Sequence, residues 1–426
     1  MVIDIDSYIR EFTFHEKRDL FNLESNVGKT RVEKALVNGI YVNRYVGEFW
    51  TSRQRQASAL HEIAYRACFK PQLPRFFLQL FTNKGDLVYD PFAGRGTTAI
   101  EAGLMGRMVA VNDVNPLSII LTRPRFYIPE ISEIMERLDE IEIDRSAKAE
   151  IDLSMFYHSQ TEAEICSLKD YLRKRRETGE EDHIDAWIRM LATNRLTGHS
   201  KGFFSVYTLP PNQAVSPESQ QKINEKRGQK PDYRNTKELI LRKSRQLTSG
   251  LSEMQKEGLK EIGDKAIFLN VDSRLTKEIP TEVVQLTVTS PPFLNVVQYA
   301  KDNWLRCWFN NIDANEIAEK IIMAKTLEEW SNFIGGVFQE LYRITKKGGW
   351  VAFEVGEVQG GKINLDEYVI PLGLKAGFNC EGIIINEQRF TKTSNIWGIS
   401  NNQSGTNTNR IVMFKKNKES GSKRDE

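Results

Sequence analysis

Hydrophobic and polar positions form their clearest pattern in the first quarter of the chain. The apolar run at 86–90 predicts a short buried strand, the glycine-rich stretch 91–96 a tight turn, and 97–106 a helix. A second apolar run, 108–113, ends on the carboxylate of Asp113. Strand, glycine turn, helix and strand in this order predict an α/β fold with a doubly wound, mostly parallel sheet.

The alternation pauses and then resumes. Helical periodicity occupies 130–195 and 237–260, and the polar stretch between them is loop-like. Later apolar runs predict strands at 266–272, 283–290, 348–355 and 410–414, and helices at 327–346 and 365–376. We therefore expect one parallel-rich sheet with a mostly helical insertion. The predicted units are 1–130 (an N-terminal segment and the first half of the sheet domain), 131–262 (the insertion), 263–414 (the second half) and 415–426 (a disordered tail).

Composition narrows the function classes. The four cysteines are scattered and form no CxxC pair, which argues against a disulfide framework and a cysteine-rich zinc site and fits a reducing cytoplasm. No run of about 18 apolar residues predicts a membrane span, and the five histidines suggest no metal cluster. The phosphate-binding pattern GxxxxGK[ST] is absent from the sequence, so ATP hydrolysis is not indicated.

The glycine turn, DPFAGRGTTA at 90–99, is compatible with two ligands. It fits the dinucleotide fingerprint and equally a nucleoside site for S-adenosylmethionine, and Asp113 is placed to accept hydrogen bonds from ribose hydroxyls in either case. Asp90 favours the second ligand, because a carboxylate repels a pyrophosphate and attracts the ammonium of a methionine moiety. A nicotinamide dinucleotide and a purely structural turn remain alternatives.

A second motif, Ser290-Pro291-Pro292-Phe293, directly follows an apolar strand. Two prolines fix two φ angles and remove two N–H donors, which predicts a stiff turn at the ligand-binding edge of the sheet. The Ser290 hydroxyl and the Pro291 carbonyl can accept both hydrogens of an exocyclic amine, and Phe293 can stack on its ring. Such a turn would position the amine for attack without a covalent intermediate. The simpler alternative is a rigid strand exit.

The two motifs together resemble those of bacterial S-adenosylmethionine-dependent DNA amino-methyltransferases, whose fold is a Rossmann-like sheet. The Ser-Pro-Pro-Phe form is similar to the branch that methylates cytosine N4. The resemblance extends to 72–86, 348–356 and 405–416. It implies that Asp90, Phe92, Gly94, Gly96, Thr97 and Thr98 form the methionine side of the cofactor site, that Asp113 holds the ribose, that Asp272 contacts adenine, and that Ser290, Pro291, Pro292 and Phe293 are catalytic.

Two features depart from the family pattern. Arg95 stands where the family often has serine, and the glycine turn precedes the SPPF motif, the reverse of the commonest order among Ser-Pro-Pro members. Because the motif order is reversed, the boundaries of the family's target-recognition region do not transfer directly to this chain. It does not affect the chemistry, because both motifs still end strands that we expect to be neighbours.

The near-neutral formal charge of +2 conceals two opposite segments. Segment 130–187 is acidic, whereas 201–245 carries ten Lys and Arg against four Asp and Glu, together with aromatic residues. Basic charge with aromatics in a long loop fits phosphate binding and base reading, although a solvated helix face is the simpler interpretation of 237–245. The predicted DNA contacts are Arg53, Arg55, Lys201, Phe203, Tyr207, Lys226, Arg227 and Lys230.

The sequence therefore predicts a site-specific methyltransferase acting on a flipped cytosine in double-stranded DNA, with S-adenosyl-L-methionine as cofactor and no metal. The resemblance further implies a bacterial cytoplasmic enzyme of a restriction–modification system, paired with a cognate restriction endonuclease. The alternatives are an adenine N6 enzyme and an inactive DNA-binding relative. An oxidoreductase would leave the SPPF motif unexplained, and C5 methylation is disfavoured because no cysteine follows a proline.

Overall fold

The strands predicted from the apolar runs form one sheet in the computed structural model. The structure describes residues 5–12, 30–50, 57–66, 68–209, 213–292, 299–320, 324, 326–358, 363–387 and 408–417. The strands are β1 (Arg31–Val37), β2 (Ile40–Gly47), β3 (Leu87–Asp90), β4 (Met108–Asn112), β5 (Ile267–Leu269), β6 (Val284–Thr289), β7 (Thr345–Val355), β8 (Glu357–Val358), β9 (Ile363–Asn364), β10 (Asn379–Glu387) and β11 (Thr408–Lys415).

Helices cover the sheet and fill the predicted insertion. They are α1 (Ile5–Arg10), α2 (Gln72–Phe81), α3 (Thr97–Leu104), α4 (Leu117–Thr122), α5 (Ile131–Glu140), α6 (Ser159–Glu177), α7 (His183–Arg195), α8 (Pro217–Arg227), α9 (Thr236–Thr248), α10 (Glu253–Gly263), α11 (Tyr299–Asp302), α12 (Trp304–Phe309), α13 (Ala314–Lys320), α14 (Leu327–Ile344) and α15 (Asp366–Ala376).

The sheet has nine strands in the order β1-β2-β10-β11-β7-β6-β3-β4-β5. Strands β5, β4, β3, β6 and β7 are mutually parallel, and β11 is antiparallel to both of its neighbours. The chain runs outward from β3 in one direction and from β6 in the other, so the strand order reverses between these two neighbours. A doubly wound sheet opens a ligand-binding crevice at such a reversal. The predicted α/β fold class is confirmed.

The buried side chains form two large apolar clusters, one on each face of the sheet. Alternation along β4 shows the division: Val109 and Val111 belong to one cluster and Ala110 to the other. The first cluster continues into the helical insertion through Trp187 and Phe204. The insertion therefore shares its core with one face of the sheet.

Two structural features were not predicted from the pattern. Strands β1 and β2 form a hairpin whose turn residues Asn38 and Gly39 both have positive φ, 48° and 81°, which is the geometry that Asn-Gly turns favour. This hairpin extends the sheet beyond β10. The predicted helical stretch 237–260 is divided, because Gly250 (φ 80°) separates α9 from α10.

Two predicted boundaries also need adjustment. Helix α10 packs against α3 and β4, so the end of the expected insertion is part of the helical layer on the sheet. The expected disordered tail begins too early. Lys415 lies in β11, and the Lys416 ammonium is buried, donates to the Tyr342 carbonyl and pairs with Glu282 at 3.0 Å. Residues 418–426 of the predicted tail lie outside the described residues.

Candidate active site

A cleft opens at the reversal point between β3 and β6. It contains about 820 Å³ of space between atoms, open solvent at its mouth included. Its walls come from four places in the chain that follow the carboxyl ends of parallel strands, together with Tyr65 and helices α13 and α14. The lining residues are Tyr65, Pro91, Phe92, Gly94, Asn112, Asp113, Val114, Asn115, Val271, Asp272, Ser273, Ser290, Pro291, Pro292, Lys320 and Phe333.

Asp90 joins the two predicted motifs beneath this cleft. One of its carboxylate oxygens accepts a hydrogen bond from the Thr289 hydroxyl at 2.7 Å and another from the Phe92 N–H at 3.2 Å. The other oxygen is buried and accepts no hydrogen bond from the residues that the structure describes. Asp90 is 1% exposed, and burial raises its pKa to about 7. A buried acceptor without a donor suits a cationic or N–H group of a ligand.

Asp113 follows β4 and is held by backbone donors. The Gly94 N–H donates to one carboxylate oxygen at 2.8 Å and the Asn115 N–H to the other at 2.9 Å. Gly94 has φ 52°, which lets the turn place its N–H there. Burial raises the pKa of Asp113 to about 6. Since each carboxylate oxygen has two lone pairs, both remain able to accept a hydroxyl of a ligand in the cleft.

Three other residues of the glycine turn stabilise the turn itself. Gly96 has φ 74°, and a Cβ there would stand 2.3 Å from the Thr122 hydroxyl oxygen, so glycine is required by packing. Thr97 is buried and accepts a hydrogen bond from Arg95. The Thr98 hydroxyl donates to the Val288 carbonyl at 3.0 Å and ties α3 to β6. Like Asp90, these residues do not form the cleft wall, whereas Phe92, Gly94, Asp113 and Asp272 do.

The far wall of the cleft combines a carboxylate with an aromatic ring. Asp272 pairs with Arg274, and this hydrogen bond lowers the pKa of Asp272. The Arg274 guanidinium lies 5.4 Å from the centre of the Phe333 ring, and Phe333 lies 6.0 Å from Phe92. An apolar wall next to a polar edge is an arrangement that can hold a planar heterocycle.

The Ser-Pro-Pro turn borders the same cleft. Ser290 is half-buried, Pro291 is buried, and the Pro292 carbonyl accepts a hydrogen bond from the indole N–H of Trp330 at 3.1 Å. This bond from α14 fixes the turn in addition to the two proline rings. Phe293 lies outside the described residues.

Glu354, near the end of β7, stands behind Ser290. Asn409 donates a hydrogen bond to its carboxylate, the Ser290 side chain lies close enough to lower the pKa of the carboxyl, and Glu354 is 6% exposed. Burial raises the pKa of Glu354 to about 7, in opposition to these two groups. A serine hydroxyl that donates to a carboxylate keeps its own lone pairs available to accept from a substrate amine.

Arg95 is committed to the structure around the turn. Its guanidinium donates to the Ile63 carbonyl at 2.9 Å and to the Phe69 carbonyl at 3.5 Å. The residue therefore fastens the segment that carries Tyr65, which lines the cleft, to the glycine turn. This explains how an arginine is accommodated where the related family often has serine.

The predicted DNA contacts fall into three groups. Arg53 and Arg55 lie outside the described residues. Phe203 is 8% exposed and packs under the Arg195 guanidinium at 4.0 Å, so its ring is a packing residue here and does not present a free face for the predicted DNA contact. Lys201, Lys226 and Lys230 are exposed, and Arg227 covers the Tyr207 ring at 3.8 Å.

The basic segment is connected to the catalytic half of the cleft. The Ala214 N–H donates to the Asp302 carbonyl at 2.9 Å, and the Trp304 indole donates to the Val215 carbonyl at 3.1 Å. Asp302 and Trp304 belong to the first helices described after the SPPF turn. Helix α8 begins two residues after Val215, and Lys226 and Arg227 lie in its last turn.

Sequence reasoning missed several residues of the site, among them Glu354, Tyr65, Asn115 and Phe333. Glu354 could have been found from its position near the end of a predicted strand, because Asp90 and Ser290 lie at the same edge of the sheet. Tyr65, Asn115 and Phe333 had no comparable signal, since they reach the cleft through tertiary packing of loops and a helix. Among the described residues, no group of three His, Cys, Asp or Glu side chains could hold a metal ion, and no helix is both long and apolar enough to cross a bilayer.

Comparison with known proteins supports the same chemistry. The family model N6_N4_Mtase, described as DNA methylase, matches residues 8–134. The chain is similar to DNA methylases. It is 27% identical to the type II methyltransferase M.MvaI of Kocuria varians over 34% of this chain and 29% of that protein, and 25% identical to M.BsoBI of Geobacillus stearothermophilus over 60% and 53%. The chain thus spans about half or less of these curated relatives.

Solved structures give weaker similarity. A protein of Thermus thermophilus, assigned as a DNA modification methylase and solved with S-adenosyl-L-methionine, is 22% identical over 34% of this chain and 54% of that chain, with a TM-score of 0.21. A TehB-like SAM-dependent methyltransferase of Corynebacterium glutamicum is 8% identical over 80% of this chain and 86% of that chain, with a TM-score of 0.30.

Proposed function

We propose that this protein transfers a methyl group from S-adenosyl-L-methionine to an exocyclic amine of a base in double-stranded DNA, namely N4 of cytosine. The observation that carries the proposal is that Ser290-Pro291-Pro292 and the nucleoside-type residues Gly94 and Asp113 line one cleft. A methyl donor and an acceptor amine must meet within bonding distance, so the two motifs are functional only if they share a site.

The residues of the cleft suit this cofactor. The buried Asp90 oxygen without a hydrogen-bond donor fits the ammonium group, Asp113 fits the ribose hydroxyls, and Phe92 with Phe333 fits the adenine ring. The carboxylates Asp90, Asp113 and Asp272 would repel the pyrophosphate of a dinucleotide, which disfavours an oxidoreductase. When bound, S-adenosylmethionine supplies an electrophilic methyl group on a sulfonium centre.

The chain's own residues prepare the nucleophile. An amine attached to a heteroaromatic ring is a weak nucleophile because its lone pair is delocalised into the ring. The Ser290 hydroxyl, oriented by Glu354, and the Pro291 carbonyl accept the two amine hydrogens and direct the lone pair away from the ring plane. The turn is stiff and is fixed by Trp330, so this geometry exists before the base arrives. The catalytic contribution is positioning and electrostatic stabilisation.

A base inside a duplex cannot reach this cleft, so the target must rotate out of the helix at a cost of about a few kcal/mol. Phe293 is proposed to stack on the flipped ring. Lys201, Lys226, Arg227 and Lys230 are proposed to hold backbone phosphates, and the insertion that carries them is proposed to recognise the target sequence. Pairing with a cognate restriction endonuclease follows from the similarity to type II enzymes and is part of this proposal.

Adenine N6 is the second candidate acceptor, because the family model that matches the chain names both N6 and N4. Ser290 in place of an acidic or amide side chain favours cytosine N4. The proposal is tested with methyl-labelled S-adenosylmethionine, unmethylated duplex DNA and the full chain. Label transfer to DNA by the natural protein is expected, and binding of both partners without transfer would instead indicate an inactive DNA-binding relative.

A further inference from the structure

Two guanidinium groups reach a short loop that also carries an exposed lysine. Arg195 ends α7, Arg242 lies on α9, and Lys201 lies in the connecting loop. A Cβ at Gly202 would stand 3.3 Å from a guanidinium nitrogen of Arg242 and 4.0 Å from one of Arg195. Gly202 therefore sits between the two guanidinium groups. We call Arg195, Arg242 and Lys201 the Gly202 cluster.

The positive charge of the Gly202 cluster forms no ion pair within the part of the chain that the structure describes. Arg195 donates through one guanidinium nitrogen to the Asn194 side chain, whereas its Nε, although buried, has no hydrogen-bond partner there. The nearby carboxylate Glu62 is paired with Lys243 at 3.5 Å. Burial and the charges of Arg306 and Arg242 lower the pKa of Arg195 to about 10. Burying like charges together is unfavourable unless an anion joins them.

The cluster is continuous with the wall of the cleft. Asn194, next to Arg195, donates to the Ala64 carbonyl at 3.0 Å, and Arg306 donates to the same carbonyl at 3.1 Å. The Arg306 guanidinium lies 5.7 Å from the ring centre of Tyr65, which lines the cleft. Arg306, whose charge lowers the pKa of Arg195, thus lies near both Arg195 and the Tyr65 wall of the cleft. This places the cluster on the Tyr65 side of the cleft.

The loop is also held in a fixed shape. Arg234 donates to the carbonyls of Ser200 and Phe203 at 3.2 and 3.0 Å, and Arg242 donates to the Lys201 carbonyl at 3.3 Å. The Arg195 guanidinium packs on the Phe203 ring. Because the cationic groups are ordered in advance, binding an anion loses little conformational entropy.

We propose that the Gly202 cluster binds a backbone phosphate of the DNA strand whose target base enters the cleft. This inference rests on the proposed function and specifies where the duplex is anchored. A phosphodiester suits the cluster because its two non-bridging oxygens match the paired N–H donors of guanidinium groups. The cluster is a sequence-independent contact, since it touches no base edge.

The first test removes charge at the exposed positions. In the full chain, Lys201→Gln/Arg242→Gln is compared with Arg145→Gln/Lys260→Gln, which removes the same charge from exposed sites elsewhere. Binding of a fluorescent duplex is measured at several salt concentrations. The first pair should weaken binding about tenfold near 0.1 M salt and reduce the slope of log K against log salt by about one, as expected for the loss of one phosphate contact. Equal slopes in both pairs would overturn the proposal.

The second test places a carboxylate in the cluster. Gly202 is not in a left-handed conformation, and its nearest contact is the flexible end of Arg242, so a side chain is tolerated there. Gly202→Asp should keep or raise the melting temperature, because it compensates the arginines, and should weaken DNA binding at least tenfold. Gly202→Asn has nearly the same volume without the charge and should retain most of the binding. Unchanged DNA affinity in Gly202→Asp would show that the cluster only holds the loop.

Two readouts separate this inference from the proposed function. Cofactor affinity, measured by calorimetry without DNA, should be the same in all these variants, because none of the substituted residues lines the cleft. If the natural protein binds and methylates DNA while the cluster variants keep its affinity and salt slope, the phosphate site is wrong and the proposed function stands. If the natural protein binds no DNA, the proposed function itself fails.

Discussion

Glu354, the last but one residue of β7, lies beside Ser290, which directly follows the neighbouring strand β6, and its almost completely buried carboxylate accepts a hydrogen bond from Asn409. Burial makes this carboxylate costly to ionise and raises its pKa to about 7. Groups with strongly shifted pKa values concentrate at functional sites. The pair therefore links the proposed catalytic hydroxyl to a group that titrates near neutral pH.

The first prediction concerns activity in Glu354→Gln. The amide has no charge to orient the Ser290 hydroxyl, so kcat should fall about 10- to 100-fold with little change in cofactor affinity. In the natural protein, activity should decline below about pH 7 as Glu354 becomes protonated. In the variant this limb should be reduced to the contributions of Asp90 and Asp113, whose pKa values lie near 7 and 6. Glu340→Gln, which removes a buried carboxylate outside the cleft wall, is the control and should leave the limb in place; an unaltered limb in Glu354→Gln would refute the role of Glu354.

Glu354→Gln should also change the pH dependence of stability. In the natural protein this dependence is opposite to that of activity, because titration of Glu354 lowers stability as pH rises. The pKa of Glu354 is raised from 4.5 to about 7 on folding, so the folded state keeps a proton that the unfolded chain has lost. The associated stability is complete below about pH 4.5 and is lost as pH rises through 7. In the natural protein, titration of Glu354 lowers the free energy of unfolding as pH rises from 5 to 8. Glu354→Gln lacks this contribution, so its free energy of unfolding should fall by about 3 kcal/mol less over the same range. Equal decreases in both proteins, measured by urea unfolding, would contradict the buried titration.

Ser290→Ala should abolish most turnover while cofactor binding survives. The substitution removes one acceptor for the substrate amine and leaves Asp90, Asp113 and Phe92 in place. Turnover should fall at least 100-fold, measured by label transfer to DNA. Ser146→Ala, at an exposed position, is the control. Full activity in Ser290→Ala would eliminate the assigned catalytic turn.

Asp113→Asn should act on the cofactor instead. The amide keeps one acceptor oxygen but loses the charge and one of the two backbone hydrogen bonds that hold the group. Cofactor affinity should weaken at least tenfold by calorimetry, since an interaction of about 1.4 kcal/mol or more is lost. Asp86→Asn, which affects an ion pair with Lys346 near the start of β3, should bind the cofactor normally. Equal affinities would exclude the ribose contact.

The sequence allowed prediction of the elements with short-range signals. The strand and turn from Leu87 to Gly96 follow from apolar runs and glycines, and the adjacency of Asp90 and Ser290 follows from the rule that open parallel sheets bind ligands where strand order reverses. The β1–β2 hairpin had a local signal in Asn38-Gly39 that the apolar pattern did not include.

Other parts of the site depend on packing between distant segments. Glu354 lies beside Ser290 only because β6 and β7 are neighbouring strands. Phe333, on helix α14, lines the same cleft as Asp272 only through tertiary packing. Charge counting assigned Phe203 and Lys226 to one DNA-binding segment, but burial separates a packing residue from an exposed one. Arg195 precedes segment 201–245, whose charges were counted. Composition alone does not show that this arginine is buried next to that segment.

The most direct test of the central claim is the identity of the methylated nucleoside. The full chain is incubated with methyl-labelled S-adenosylmethionine and unmethylated plasmid DNA, and the DNA is digested to nucleosides and separated by chromatography. Label in N4-methylcytosine, absent with Ser290→Ala, is the predicted result. Label in N6-methyladenine would contradict the assignment to cytosine N4, and DNA without label would contradict the assignment of a methyltransferase.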